Sequence, residues 1–243
     1  MSGHSKWAKL KHTKPATDEK KSRGFSRHSN LITIAAKQGG NPDPKLNPFL
    51  KEAIEKARQI NMPRENIERA IKRGLGLIPG VIFEELSLEA YGPAGVALVI
   101  QIATDNKNRS IPEIRKIISD SGGSMANPGS VLWLFKEMGK IIVFETSWLE
   151  EPGVELKIIE LGAEEVVKEK SEVFIFCHKD DLKKIEELLK EKGVPYEASI
   201  ELVPENIIAI KNPGDKTKIT KLLGNLESRE DMNAIFHNAD LED

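Results

Sequence analysis

Along the first third of the chain, hydrophobic residues recur at helical spacing; beyond it they alternate or run together as strands do. Leu31, Ile32, Ile34, Ala35 and Ala36 predict a helix that stops at Gly39-Gly40, where glycine tolerates the left-handed C-cap. Asn41-Pro-Asp-Pro44 cannot be helical, and Asn47-Pro48 has the form of an N-cap and first helical residue. Leu50, Ala53, Ile54 and Ala57 follow at helical spacing. Asn61-Met-Pro63 opens a third helix with Ile67, Ala70, Ile71 and Gly74 on one arc and Arg64, Glu65, Glu68, Arg69, Lys72 and Arg73 on the other. On that outer arc Glu65–Arg69 and Glu68–Lys72 are spaced as i,i+4 ion pairs. Gly74-Leu-Gly-Leu-Ile-Pro-Gly80 ends the helical region.

From Phe83 the chain alternates strands and helices. Leu86–Tyr91 and Val96–Ala103 are predicted strands, with Asp105-Asn-Lys-Asn-Arg109 a polar loop between the second of them and a helix. Ser110-x-x-Glu113 has the form of a capping box for that helix, which carries Ile111, Ile114, Ile117 and Ile118 inward. Strands are expected at 130–135, 140–145, 165–177, 196–202, 207–210 and 233–237, and helices at 148–161, at 180–192 and after an N-cap at Asp215. The unit count is β-β-α-β, then β-α-β-α-β, then β-α-β. The first and last groups complete one sheet, so the middle group is an inserted domain.

The expected fold is α+β in three domains. A helical N-terminal domain (1–77) precedes two ferredoxin-like α/β sandwiches, one formed by 78–136 with 205–243 and the other, 137–204, inserted in it.

Charge sharpens this division. The 243 residues carry a formal net charge of −2. Residues 1–75 hold 17 Lys and Arg against 7 Asp and Glu, a net of +10, and the remainder holds 19 against 31, a net of −12. The first thirty residues alone carry Lys6, Lys9, Lys11, Lys14, Lys20, Lys21, Arg23 and Arg27 against Asp18 and Glu19, with Trp7, Leu10 and Phe25 interleaved. Cations neutralise phosphates and release counterions, while rings and guanidinium planes stack on exposed bases. The competing reading is a solvated basic tail.

A lone cysteine, Cys177, excludes an intramolecular disulfide and suits a reducing compartment, and no apolar run approaches the length that spans a bilayer. The expectation is a cytoplasmic protein with no membrane contact.

Enzyme signatures are sparse. The sequence has no phosphate-binding loop, nucleophile elbow, zincin motif or cysteine pair, and Gly74-x-Gly76 lacks the preceding strand that a dinucleotide loop needs. Cys177 and His178 are strand neighbours that face opposite ways, so Cys177 is expected to be core. Asp105 and His237 are the residual candidates for a catalytic cleft. The expectation is a non-enzymatic protein without cofactor or metal. Its nucleic-acid-binding candidates are Lys6, Trp7, Lys9, Lys11, His12, Lys14, Lys20, Lys21, Arg23, Arg27, Arg64, Arg69, Lys72 and Arg73.

Several stretches in order along the whole chain resemble the YebC family. They are Gly3-His-Ser-Lys-Trp7, Lys11-His12, Asn61-Met-Pro-Arg-Glu-Asn-Ile-Glu-Arg-Ala-Ile-Lys-Arg-Gly74, Tyr91-Gly-Pro93, Gly95-Val96, Thr104-Asp-Asn-Lys-Asn-Arg109, Gly122-Gly123, Gly129-Ser-Val131, Leu134-Phe135 and His237-Asn-Ala-Asp240. The resemblance implies three domains and a DNA-binding regulator of transcription. The alternative it implies is a translational activator that binds ribosomal RNA and relieves stalling, for example at proline-rich stretches. In either case the acidic domains are available to the ribosome or to another protein. The chain departs from the family pattern at His28-Ser-Asn-Leu31, where an apolar pair and an Arg-Glu are expected. That puts in question how residues 25–38 pack.

Overall fold

The structure, a computed structural model, describes residues 20–144, 146–150, 153–168 and 172–241. Its helices are α1 (Lys20–Gly39), α2 (Pro48–Gln59), α3 (Arg64–Gly74), α4 (Lys107–Asp120), α5 (Val154–Glu160), α6 (Leu182–Glu191) and α7 (Pro213–Glu227). Its strands are β1 (Glu84–Tyr91), β2 (Ala97–Thr104), β3 (Ser124–Met125), β4 (Phe135–Val143), β5 (Ala163–Lys168), β6 (Val173–His178), β7 (Tyr196–Pro204), β8 (Ile208–Ala209), β9 (Met232–His237) and β10 (Ala239–Asp240). The chain is α+β, with a helical N-terminal part and two antiparallel four-stranded sheets. Among the described residues, 20–132 and 210–237 form one compact unit, and 133–209 with 238–241 form another.

In the first unit α1 starts at Lys20, within the basic arm and well before the apolar stretch that announces it in sequence. Residues 32–36 are consecutively buried, because α1 is covered on opposite sides. Ile32, Ala35 and Ala36 pack with Leu50, Ile54 and Ala57 of α2 and Ile67 and Ala70 of α3, while Ile34 packs with Phe83 and Ala103 of the sheet. The departure at His28-Ser-Asn-Leu31 is accommodated by this position. Asn30 is buried with bonding partners, as described below. Asn47 caps α2 by accepting from the Leu50 amide at 3.1 Å, and its own amide donates to the Ala35 carbonyl at 3.0 Å, which also ties α2 to α1. Gly74 lies against α1 so closely that a Cβ would come within 2.2 Å of the Thr33 carbonyl oxygen.

The first sheet has the order β3-β1-β2-β9, with every neighbouring pair antiparallel. Ile114 and Ile118 of α4 and Ile219, Leu222 and Leu226 of α7 are buried. With Ala103 facing α1, β2 is covered on both faces, which explains a run that is apolar from Ala97 to Ala103 except at the half-buried Gln101. Glu89 is a buried carboxylate on β1. It accepts from the backbone amides of Gly129 (2.5 Å), Val131 (2.6 Å) and Leu132 (2.8 Å) and so fixes the loop after β3. Burial pushes its pKa up, but the three amide bonds outweigh that and hold it below the ordinary carboxylate value.

The second sheet runs β5-β6-β4-β7 and, with α5 and α6, makes the βαββαβ arrangement of a ferredoxin-like sandwich. Its core includes Ile141, Val143, Ile158, Ile175, Cys177, Ile185 and Leu189. Burial, with Asp181, Glu164 and Glu186 nearby, pushes the Cys177 thiol up to about 11 and leaves it an inert core side chain. Trp148 is buried in the same core, and its indole N–H has no hydrogen-bond partner among the described residues.

Five local expectations are corrected. The capping box at Ser110 does not form: Asn106 caps α4 by accepting from the Arg109 amide at 3.1 Å, and Ser110 is buried inside the helix, 2.9 Å from the Thr104 hydroxyl. Residues 130–135 are not a strand. A turn and a short 3-10 segment at Leu132–Leu134 follow the loop held by Glu89, and β4 runs unbroken from Phe135. That continuity crosses Gly139, where a Cβ would meet the Cys177 sulfur at 2.8 Å. The expected helix over 148–161 is a 3-10 turn at Ser147–Glu150 followed by α5, separated at Gly153 with φ of 84°. Residues 165–177 form the two strands β5 and β6 rather than one. Asn212, not Asp215, caps α7, because Pro213 supplies the first helical residue.

Candidate nucleic-acid interface

α1, α3, the 78–83 linker, the end of β2, the start of α4 and the 228–231 turn enclose a cleft of about 620 Å³ within the first unit. Two stretches that carry the family resemblance, 61–74 and 104–109, meet here and contribute Asn66, Arg69 and Arg73 opposite Thr104, Asp105 and Arg109.

The floor is a satisfied polar network. Arg73 donates through Nη2 to Asn30 Oδ1 (2.9 Å), Ser29 Oγ (3.2 Å) and Thr33 Oγ1 (2.9 Å) and through Nε to Thr33 Oγ1 (3.1 Å), with its guanidinium 4.7 Å from the centre of the Phe83 ring. Burial lowers its pKa, Asp105 opposes that shift and Arg69 adds to it; the net direction is downward. Asn30 donates to the Glu230 carbonyl at 3.0 Å and lies 3.4 Å from that of Ala103, so α1 is pinned to the sheet through a polar contact. The Thr33 hydroxyl donates to the Ser29 carbonyl (2.7 Å) or the Ala70 carbonyl (3.1 Å) while it accepts from Arg73.

At the far wall Arg229 forks onto Asp231 at 2.9 and 2.8 Å and reaches Glu113 at 3.0 Å. Asp231 is pushed up by burial and pulled down further by Arg229 and Ser110, so it ends below its ordinary value.

The rim differs from the floor. Arg69 and Arg109 are exposed and make no ion pair among the described residues, and neither do Lys72 and Arg27. The expected pairs Glu65–Arg69 and Glu68–Lys72 are replaced by Arg64–Glu68, at 2.7 Å. That exchange occupies Arg64 and frees Arg69 and Lys72.

The candidates named from sequence therefore divide. Arg69 lines the cleft as a free cation, Arg73 lines it as an internal brace, and Arg64 is paired on the exposed face. Lys72 and Arg27 are exposed on α3 and α1. Lys20, Lys21 and Arg23 fall on the first turns of α1, with side chains outside the described set, and Lys6, Trp7, Lys9, Lys11, His12 and Lys14 lie outside the described residues.

Sequence reasoning missed Arg109 as a second cation lining the cleft with Arg69, and it missed Asn30 and Asn66. The available signal was the dense polar stretch at the end of an apolar strand. Asp105 and His237 do not converge: His237 pairs with Leu98 at one end of β2, and Asp105 follows Thr104 at the other. The described residues contain no group of three or more His, Cys, Asp or Glu suited to a metal, and no helix long and apolar enough to cross a membrane.

Residues 5–77 match the TACO1/YebC protein N-terminal domain, and residues 83–239 match the TACO1/YebC second and third domain. A protein of Dictyoglomus turgidum named "Probable transcriptional regulatory protein" is 44% identical over 100% of this chain and 97% of its own length. One of the same name from Moorella thermoacetica is 44% identical over 99% and 96%. The crystal structure of a conserved hypothetical protein from Aquifex aeolicus superimposes with a TM-score of 0.80 at 37% identity, covering 97% of this chain and 96% of that one. End-to-end similarity of this kind, over both the helical part and the two sheets, shows that the chain belongs to the TACO1/YebC family.

Proposed function

We propose that this protein is a non-enzymatic, cytoplasmic regulatory protein that acts by binding nucleic acid, and that its target is DNA at sites of transcriptional control. The observation that carries the reading is the division of labour at the cleft. Arg73 and Arg229 are consumed by internal partners, whereas Arg69, Lys72 and Arg109 stand exposed without an ion-pair partner among the described residues. Cations left unpaired on a surface, in a chain whose first thirty residues carry a net charge of +6, favour a polyanion. The names of the Dictyoglomus and Moorella relatives support the transcriptional role.

A second reading, translational activation through ribosomal RNA, is favoured by one feature. The free arginines border a concavity, and Glu65 and Glu68 interleave with the cations on the outer face of α3, which suits irregular RNA better than a helix laid in a major groove. In that case the acidic second unit would meet a protein component. The deciding experiment sets promoter occupancy beside ribosome profiling in a deletion strain. Altered occupancy with unchanged pausing supports transcription, and codon-specific pausing with unchanged occupancy supports translation. Replacing Lys9, Lys11 and Lys14 together by Ala is expected to flatten the slope of log K against log salt by about 2–3. An unchanged slope would remove the arm from the interface.

A further inference from the structure

We infer that the cleft bordered by Arg69 and Arg109 is a pocket for a single unstacked nucleotide, its phosphate held by the two guanidiniums and its base edge read by Asp105 and Asn66. This rests on the nucleic-acid reading above and specifies what that surface grips. The cleft, at about 620 Å³, lies within the ~300–1,000 Å³ range of small-ligand sites. A nucleotide can be seated in it, whereas a duplex can only lie across it. Four rim groups remain for a ligand once the internal network is satisfied: two guanidiniums, one carboxylate and one carboxamide, all exposed.

Their chemistry is complementary to a nucleotide. Guanidiniums bind phosphate oxygens in bidentate fashion, a carboxylate accepts from exocyclic amino groups or a ribose hydroxyl, and a carboxamide both donates and accepts. Phe25, half-buried on the α1 wall, offers a ring edge or face to the base, while the Phe83 ring is already covered by Arg73. The network of Arg73, Asn30 and Thr33 holds the α1 and α3 walls at fixed separation, so the pocket is formed in advance.

The nucleotide could belong to a single strand or be free in solution, and the test separates these sources. The full chain and the double variant Arg69→Ala/Arg109→Ala are titrated by fluorescence anisotropy against a labelled single-stranded RNA 12-mer and a labelled 20-bp DNA duplex, and by calorimetry against the four ribonucleoside monophosphates. Thermal melts check that the variant is folded. The expected result is at least tenfold weaker single-strand binding in the variant, with the salt slope reduced by about 0.7 for the one phosphate no longer neutralised. Duplex binding, to which the arm and Lys72 also contribute, should weaken less than single-strand binding does. Asp105→Asn should alter the ranking among homopolymers of A, C, G and U more than the mean affinity. Monophosphate binding abolished by the double variant would assign the pocket to free nucleotide, and single-strand binding alone would assign it to polymer. The inference is overturned if the folded variant holds single strands and monophosphates as the parent does. It also falls if the parent binds duplex but neither single strands nor monophosphates. A parent that binds no nucleic acid of any kind would overturn the proposed function as well.

Discussion

The two compact units handle their charges in opposite ways. In residues 133–209, 10 Lys and Arg face 18 Asp and Glu, and several cations are spent locally: Lys136 on Glu205, Lys140 on Glu201, Lys179 on Glu137 and Lys184 on Asp181. The core beneath is largely aliphatic, with Trp148 and Cys177 buried among its branched side chains. In the helical part and the first sheet, buried polar side chains are part of the framework, and exposed cations around a cleft have no ion-pair partner among the described residues. This contrast marks where a polyanion can be met. A surface whose cations are already neutralised gains little from a phosphate, while one whose arginines are free gains both attraction and counterion release.

The largest expected effect tests whether the first unit depends on its polar floor. Arg73→Leu leaves Asn30 Oδ1, Ser29 and Thr33 without their donor in a half-buried site and should cost about 3 kcal/mol, read by urea unfolding. A loss below ~1 kcal/mol would mean the network is ornamental. Gly74→Ala follows, at about 1–3 kcal/mol, since the new methyl meets the Thr33 carbonyl and α1 must shift from α3.

Glu89→Gln should cost about 1–3 kcal/mol at neutral pH, because one amide oxygen cannot replace two carboxylate oxygens that serve three amides. The pH dependence has a definite sign. Glu89 is depressed in the folded state, so its stabilisation is complete above the unfolded value of ~4.3 and is lost as pH falls through the lower folded value. Denaturation curves between pH 7 and 3 should show this loss in the parent, with the Glu89 contribution missing from the variant. The smallest effect lies in the other unit. Trp148→Phe surrenders some buried area but removes an N–H with no partner among the described residues, so the net change should stay within about 1 kcal/mol. A large loss would show that this core is as demanding as the polar floor.

The periodicity of hydrophobic residues made most of the fold legible: the α2 cap at Asn47-Pro48, the alternation in β1 and the apolar run of β2 can all be read from residue order. The central position of α1 was not legible, because a helix covered on two sides has no polar face to reveal its limits, and Asn30 and Thr33 look like surface residues until their partners are known. The same holds for the cleft. Arg64, Arg69, Lys72 and Arg73 are one cationic run in sequence, and only tertiary contacts sort them into a paired, a free or a bracing role. Arg109 was passed over because nothing local connects it to Arg69, some forty positions away.

Hydrogen exchange on the full chain, with and without saturating single-stranded RNA, reads out whether the cleft meets nucleic acid. Slowed exchange at 64–74 and 104–110, with 135–204 unchanged, is the result expected if the free arginines of the cleft meet nucleic acid. Protection confined to 135–204, with the cleft segments exchanging as in the free protein, would contradict it.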